Sequence, residues 1–118
     1  MIFLITTRAT RDSRGERKDI SELNLALASR DDEQTPGEIV SIVQKGRKRL
    51  ALCIGSFRMF SDLKDMVRKR QNYMLDARRV NHETAEVLFG LARKQQNSTR
   101  GDQGAMRAYL KQADKRRD

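Results

Sequence analysis

Apolar and polar residues alternate along this chain in several rhythms, and each rhythm predicts an element. The opening run Met1-Ile-Phe-Leu-Ile-Thr-Thr7 is apolar and rich in β-formers, which predicts a short strand over 1–7. A lone strand needs a partner, either a second subunit or the run 49–54. Residues 8–19 have no apolar period. Arginine recurs there at every third position (Arg8, Arg11, Arg14, Arg17), interleaved with Asp12, Glu16 and Asp19, and the segment reads as a flexible basic arm or loop. Asp19 followed by Glu22 resembles a capping box, and Ile20, Leu23 and Leu27 then share one face of a short helix over 20–30.

The next segment predicts a longer helix. Thr35 suits the N-cap, Pro36 the first helical position and Glu38 the reciprocal acid. At about 100° per residue, Ile39, Val43, Gly46, Leu50, Cys53, Ile54 and Phe57 fall on one side, with Ile42 at its edge. Lys45, Lys48 and Arg49 then project from the other side, and Arg47 lies at the seam with its stem on the core. From Leu52 to Phe60 apolar residues surround the helix, which places it inside the fold or against a second subunit. A competing reading takes 49–54 as a buried strand pairing with 2–6.

Ser61 or Asp62 can cap a helix over 62–79, with Leu63, Met66, Val67, Arg70, Tyr73, Met74 and Ala77 inward and Lys64, Arg68 and Arg79 outward. Asn81 can cap another over 82–95 that buries Ala85, Leu88, Phe89 and Ala92. Residues 97–104 read as a loop, 103–115 as a last helix burying Ala105, Met106, Tyr109, Leu110 and Ala113, and 112–118 as a fraying basic tail. The sum is one domain, 1–118, of the all-α class: a compact bundle of about four to five helices with a short N-terminal strand or arm. The alternative is an α+β fold in which 2–6 pairs with 49–54.

Composition agrees with long helices, since one proline and seven glycines are few for a turn-rich β-sandwich. Charge adds more. The net charge of +9 is unevenly spread: six cations face eight anions up to residue 38, and nineteen face eight beyond it. A chain that repels itself this strongly points to a polyanion. The candidate nucleic-acid contacts are the cations predicted to face outward: Lys45, Lys48, Arg49, Lys64, Arg68, Lys69, Arg78, Arg79, Lys94, Arg107 and Lys111.

Candidate chemistry is sparse. His82 is the only histidine and Cys53 the only cysteine, too few for a metal site and insufficient for a disulfide. Cys53 lies on an apolar stripe, where a thiol behaves as a small hydrophobe. Asp31, Asp32 and Glu33 read as a solvated or intersubunit acidic patch, and Arg100-Gly-Asp102 as a chance tripeptide. No catalytic residue, cofactor, metal or small-molecule substrate is expected. No apolar run approaches the length of a membrane span, which predicts a soluble, cytoplasmic chain without a membrane partner. Phe57, Phe60, Tyr73, Phe89 and Tyr109 sit on predicted buried stripes, leaving few rings on which bases could stack. The expected function is therefore non-enzymatic binding of nucleic-acid backbone, with RNA or a heteroduplex favoured over DNA. The chain would act as an oligomeric or accessory subunit of a nucleoprotein complex. The alternative is a helical protein–protein interaction module, such as an adaptor, inhibitor or assembly factor, binding an acidic partner.

Overall fold

The computed structural model describes residues 1–30, 36–71 and 73–95. They form strand β1 (Ile2–Arg8), helix α1 (Lys18–Ala28), strands β2 (Glu38–Lys45) and β3 (Lys48–Ile54), helix α2 (Phe57–Arg68), strand β4 (Met74–Arg79) and helix α3 (His82–Lys94). This is an α+β fold, and it corrects the expected all-α bundle. The sheet order is β2-β3-β1-β4, with every neighbouring pair antiparallel. The order βαββαβ, with one strand inserted between the strands of each crossover, is the split βαβ arrangement of ferredoxin-like domains. The pairing of the N-terminal strand with the 49–54 region is present, from Ile2 opposite Ile54 to Arg8 opposite Lys48.

The expected helix over 36–57 is instead the β2–β3 hairpin. Its turn is set by Gly46, whose φ of 60° is left-handed, a conformation that costs glycine little. The sequence misled because both faces of the sheet are covered. On one face Phe3, Ile5, Ala51 and Cys53 pack against Leu23 and Leu27 of α1 and Met59 and Leu63 of α2. On the other, Ile2, Leu4, Val40 and Leu52 pack against Ala85 and Leu88 of α3. Strands buried on both faces lose the apolar–polar alternation and read as continuous apolar runs, which periodicity cannot tell from a buried helix.

The expected helix over 62–79 is likewise divided. Ser56 caps α2 by accepting from the Met59 amide at 3.1 Å. The helix ends in a Schellman motif: Gln71 N–H donates to the Met66 carbonyl at 2.9 Å and Arg70 N–H to that of Val67 at 3.0 Å. The left-handed position, usually glycine, is Arg70 at φ 54°. That bend sends the chain back as β4. Helix α3 follows expectation: Asn81 caps it by accepting from the Thr84 amide at 2.8 Å. At its far end Gln95 lies along the outer edge of β2. Its side-chain oxygen accepts from the Gln44 amide at 2.8 Å and its nitrogen donates to the Gln44 carbonyl at 3.1 Å.

The expected acidic patch 31–33, the Thr35 cap, Arg100-Gly-Asp102, the loop 97–104, the helix 103–115 and the tail 112–118 lie outside the described residues.

Candidate phosphate-binding cleft

The strand register brings many basic positions to one end of the sheet. Arg8, the last residue of β1, lies opposite Lys48 at the start of β3, and Lys45 lies opposite Lys48 across the hairpin. The Ala9 amide donates to the Arg47 carbonyl at 2.7 Å, which fixes the turn against the end of β1. The Arg8 amide donates to the Tyr73 carbonyl at 2.8 Å, bringing the exit of α2 to the same end. Through Gln95, the exit of α3 arrives there too.

Between β1 and α1 the chain forms a tight turn. Asp12 Oδ1 accepts from the amides of Arg14 at 2.8 Å and Glu16 at 2.9 Å. Gly15 takes φ 81°, and Arg11 and Arg17 face each other across an antiparallel bridge. The turn thus places Arg11 and Arg17 side by side.

An open cleft of about 480 Å³ lies between this turn and the hairpin, lined by Ala9, Arg11, Arg17, Gln44, Gly46, Arg47 and Arg49. Its floor is a buried ion pair. Arg49 is 2% exposed and Asp19 1%. The Arg49 guanidinium donates through Nη1 to Asp19 Oδ1 and through Nε to Gln44 Oε1, the latter at 2.9 Å. Asp19 also accepts from the buried Thr7 hydroxyl at 2.6 Å and from the Thr10 amide at 3.1 Å. Burial lowers the Arg49 pKa. Arg11 and Arg17 push the same way, and Asp19 opposes them. The floor is therefore a neutralised pair beneath a surplus of positive charge. Among the described residues, no carboxylate lies within ion-pair distance of Arg11, Arg17 or Arg47.

The predicted contacts divide around this cleft. Lys45 and Lys48 flank its turn and are exposed. Lys69, which caps α2, and Lys94, the last residue of α3, lie at the same end of the sheet. Arg49 does not face outward: the helix that would have exposed it is a strand, and the residue points under α1 to meet Asp19. Arg68 lies one turn from Asp65 at 3.9 Å, and Lys64 lies 5.8 Å from the Phe60 ring centre on the body of α2. Arg78 and Arg79 sit at the opposite end of β4, opposite Leu4 and Phe3, and Arg78 is paired with Asp76 at 2.8 Å. Arg107 and Lys111 lie outside the described residues.

Sequence reasoning did not single out Arg11, Arg17 and Arg47 as a set. The spacing of the first two was a usable signal, but Arg47 joins them only through the hairpin turn. The thiol of Cys53 is fully buried, and burial pushes its pKa up, so it stays protonated. Among the described residues there is no cluster of acidic, histidine and cysteine side chains able to hold a metal, and no helix long and apolar enough to cross a membrane. No family model, curated protein or solved structure matches the chain. The fold by itself carries no function, so the reading rests on the cleft.

Proposed function

We propose that this chain binds nucleic acid through its phosphates, at the basic end of the sheet. The observation that carries this is the convergence of Arg11, Arg17 and Arg47 on one open cleft, without ion-pair partners among the described residues. Guanidinium groups match phosphate oxygens with two parallel hydrogen bonds. Lys45 and Lys48 extend the positive surface past the turn, where neighbouring phosphates would release counterions on binding.

Base stacking on the sheet has little support. The face opposite α1 and α2 is covered over β2 and β3 by α3, and the sheet's own aromatic ring, Phe3, is buried against Phe60 on the other face with centroids 5.5 Å apart. Phe57, expected to be buried, is 65% exposed, but it opens α2 at the end of the sheet away from the cleft, so backbone contact is the mode the cleft favours. RNA or a heteroduplex is favoured over DNA because grip without base contacts suits A-form geometry. A subunit role draws on β4, whose outer edge is unpaired among the described residues.

The test is a salt titration of binding to a generic structured RNA and a duplex DNA. Log affinity should fall linearly with log salt, and Arg17→Ala or Arg47→Ala should each reduce the slope by about one unit. Absence of nucleic-acid binding at low salt, with an acidic protein bound instead, would replace this reading by the interaction module.

A further inference from the structure

We infer that the arginine cleft itself takes a terminal phosphate group, a phosphomonoester or polyphosphate on a nucleotide, and leaves internal phosphodiesters to Lys45 and Lys48 beyond it. This rests on the reading of the cleft as a phosphate site. Two observations carry it.

The first is charge matching. Arg49 is neutralised by Asp19, so the residues lining the cleft keep a surplus of three positive charges, from Arg11, which also donates to the Gly15 carbonyl at 2.7 Å, Arg17 and Arg47. An internal phosphodiester brings one negative charge. A phosphomonoester brings about 1.5 to 2 at neutral pH, and a di- or triphosphate more. A groove that tracks a backbone spreads its cations along the strand. Here Arg11, Arg17 and Arg47 line one open cleft of about 480 Å³, within the range of small-ligand sites.

The second is the neighbouring groove. A second cavity of about 300 Å³ shares Arg17 with the cleft and runs between α1 and β2. Ile20, Ile39 and Ile42 are buried along its floor, while Asn24 and Glu38 are exposed at its rim. The Glu38 carboxylate would repel a second phosphate, so this groove favours the uncharged part of a ligand. An apolar floor suits a sugar or base, and the Asn24 amide and Glu38 carboxylate can pair with a base edge. Phosphate on one side of Arg17 and nucleoside on the other describe one nucleotide with a free phosphate end.

The experiment compares oligoribonucleotides of one sequence that end in a 5′-triphosphate, a 5′-monophosphate, a 3′-phosphate or hydroxyls only, by fluorescence anisotropy with the full chain. A phosphate-ended strand should bind about tenfold or more tighter than the hydroxyl-ended one, the size of one charge-assisted contact. Arg17→Lys and Arg47→Lys keep the charge but lose the paired geometry, and should shrink that difference while the thermal melt stays unchanged. Glu38→Gln should alter the ranking among terminal bases and leave the phosphate preference intact. A free nucleoside triphosphate is the competitor that identifies the source. Full competition assigns the site to free nucleotides, and none assigns it to strand ends; both support a terminal phosphate. Equal affinity for all four strands overturns the inference and leaves backbone binding standing. No binding by any strand at low salt overturns both.

Discussion

Asp19→Asn is the most informative single change in this protein. The substitution keeps the shape of the side chain but removes the charge that balances Arg49. Arg49, 2% exposed beside Arg11 and Arg17, then keeps neutral acceptors in the position-19 amide oxygen and Gln44 but has no balancing carboxylate among the described residues. Breaking a buried pair by removing one partner costs about 3–5 kcal/mol. A domain of this size is stable by about 5–15 kcal/mol, so the variant should lose a large fraction of its stability. Arg49→Met should cost a similar amount, because it strands a buried carboxylate that keeps only the Thr7 hydroxyl and Thr10 amide. The double variant should recover most of the loss, since replacing both charges removes the desolvation cost along with the attraction. Urea unfolding of the four proteins, with the midpoint read at constant slope, measures the coupling. Inorganic pyrophosphate adds a second readout. An anion in the cleft supplies the missing negative charge, so it should raise the midpoint of Asp19→Asn more than that of the parent. Single variants that cost under about 1 kcal/mol, or a double variant that costs their sum, would show that Asp19 and Arg49 do not act as a coupled pair.

Other outcomes follow from local geometry. Arg70→Gly should stabilise the fold by about 1 kcal/mol in thermal or urea unfolding, because Arg70 holds a left-handed position that glycine takes without strain. Gly46→Val should cost about 1–2 kcal/mol although nothing lies within 4 Å of the added carbon, because the penalty comes from φ alone. Ser56→Ala should cost about 1 kcal/mol through loss of the α2 cap, and Asn81→Ala about the same through α3. Burial raises the Cys53 pKa above the ordinary thiol value near 9, so the folded state holds its proton longer than the unfolded state. That contribution is complete below about pH 9 and declines above it by up to about 1.4 kcal/mol per pH unit, and Cys53→Ala should flatten this part of the stability profile. The same thiol should resist alkylation until the protein unfolds.

The parts of the fold visible in the sequence were those whose signals are local. The strand at 1–7, the helix near 20–30 and the Asn81-capped helix each depend on residues close in the chain. The β2–β3 hairpin was not visible as such, because Val40 and Leu52 pack under α3 while Ile39 and Ala51 pack under α1 and α2, erasing the alternation of a half-exposed sheet. The break between α2 and β4 was hidden by Arg70, which occupies a position where glycine would have announced the turn. The site divides in the same way. Arg11 and Arg17 were visible as a spacing, whereas Arg47 joins them through long-range register. Arg49 was misassigned because its partner, Asp19, lies thirty positions away on another element.

The amide of Gln95 has a consequence for assembly. It makes with Gln44 the two hydrogen bonds that a neighbouring backbone would make, and so blocks that point on the β2 side from a visiting strand. Among the described residues the outer edge of β4 carries no such plug. Two copies joined antiparallel along β4 would close on a two-fold axis, giving a finite dimer.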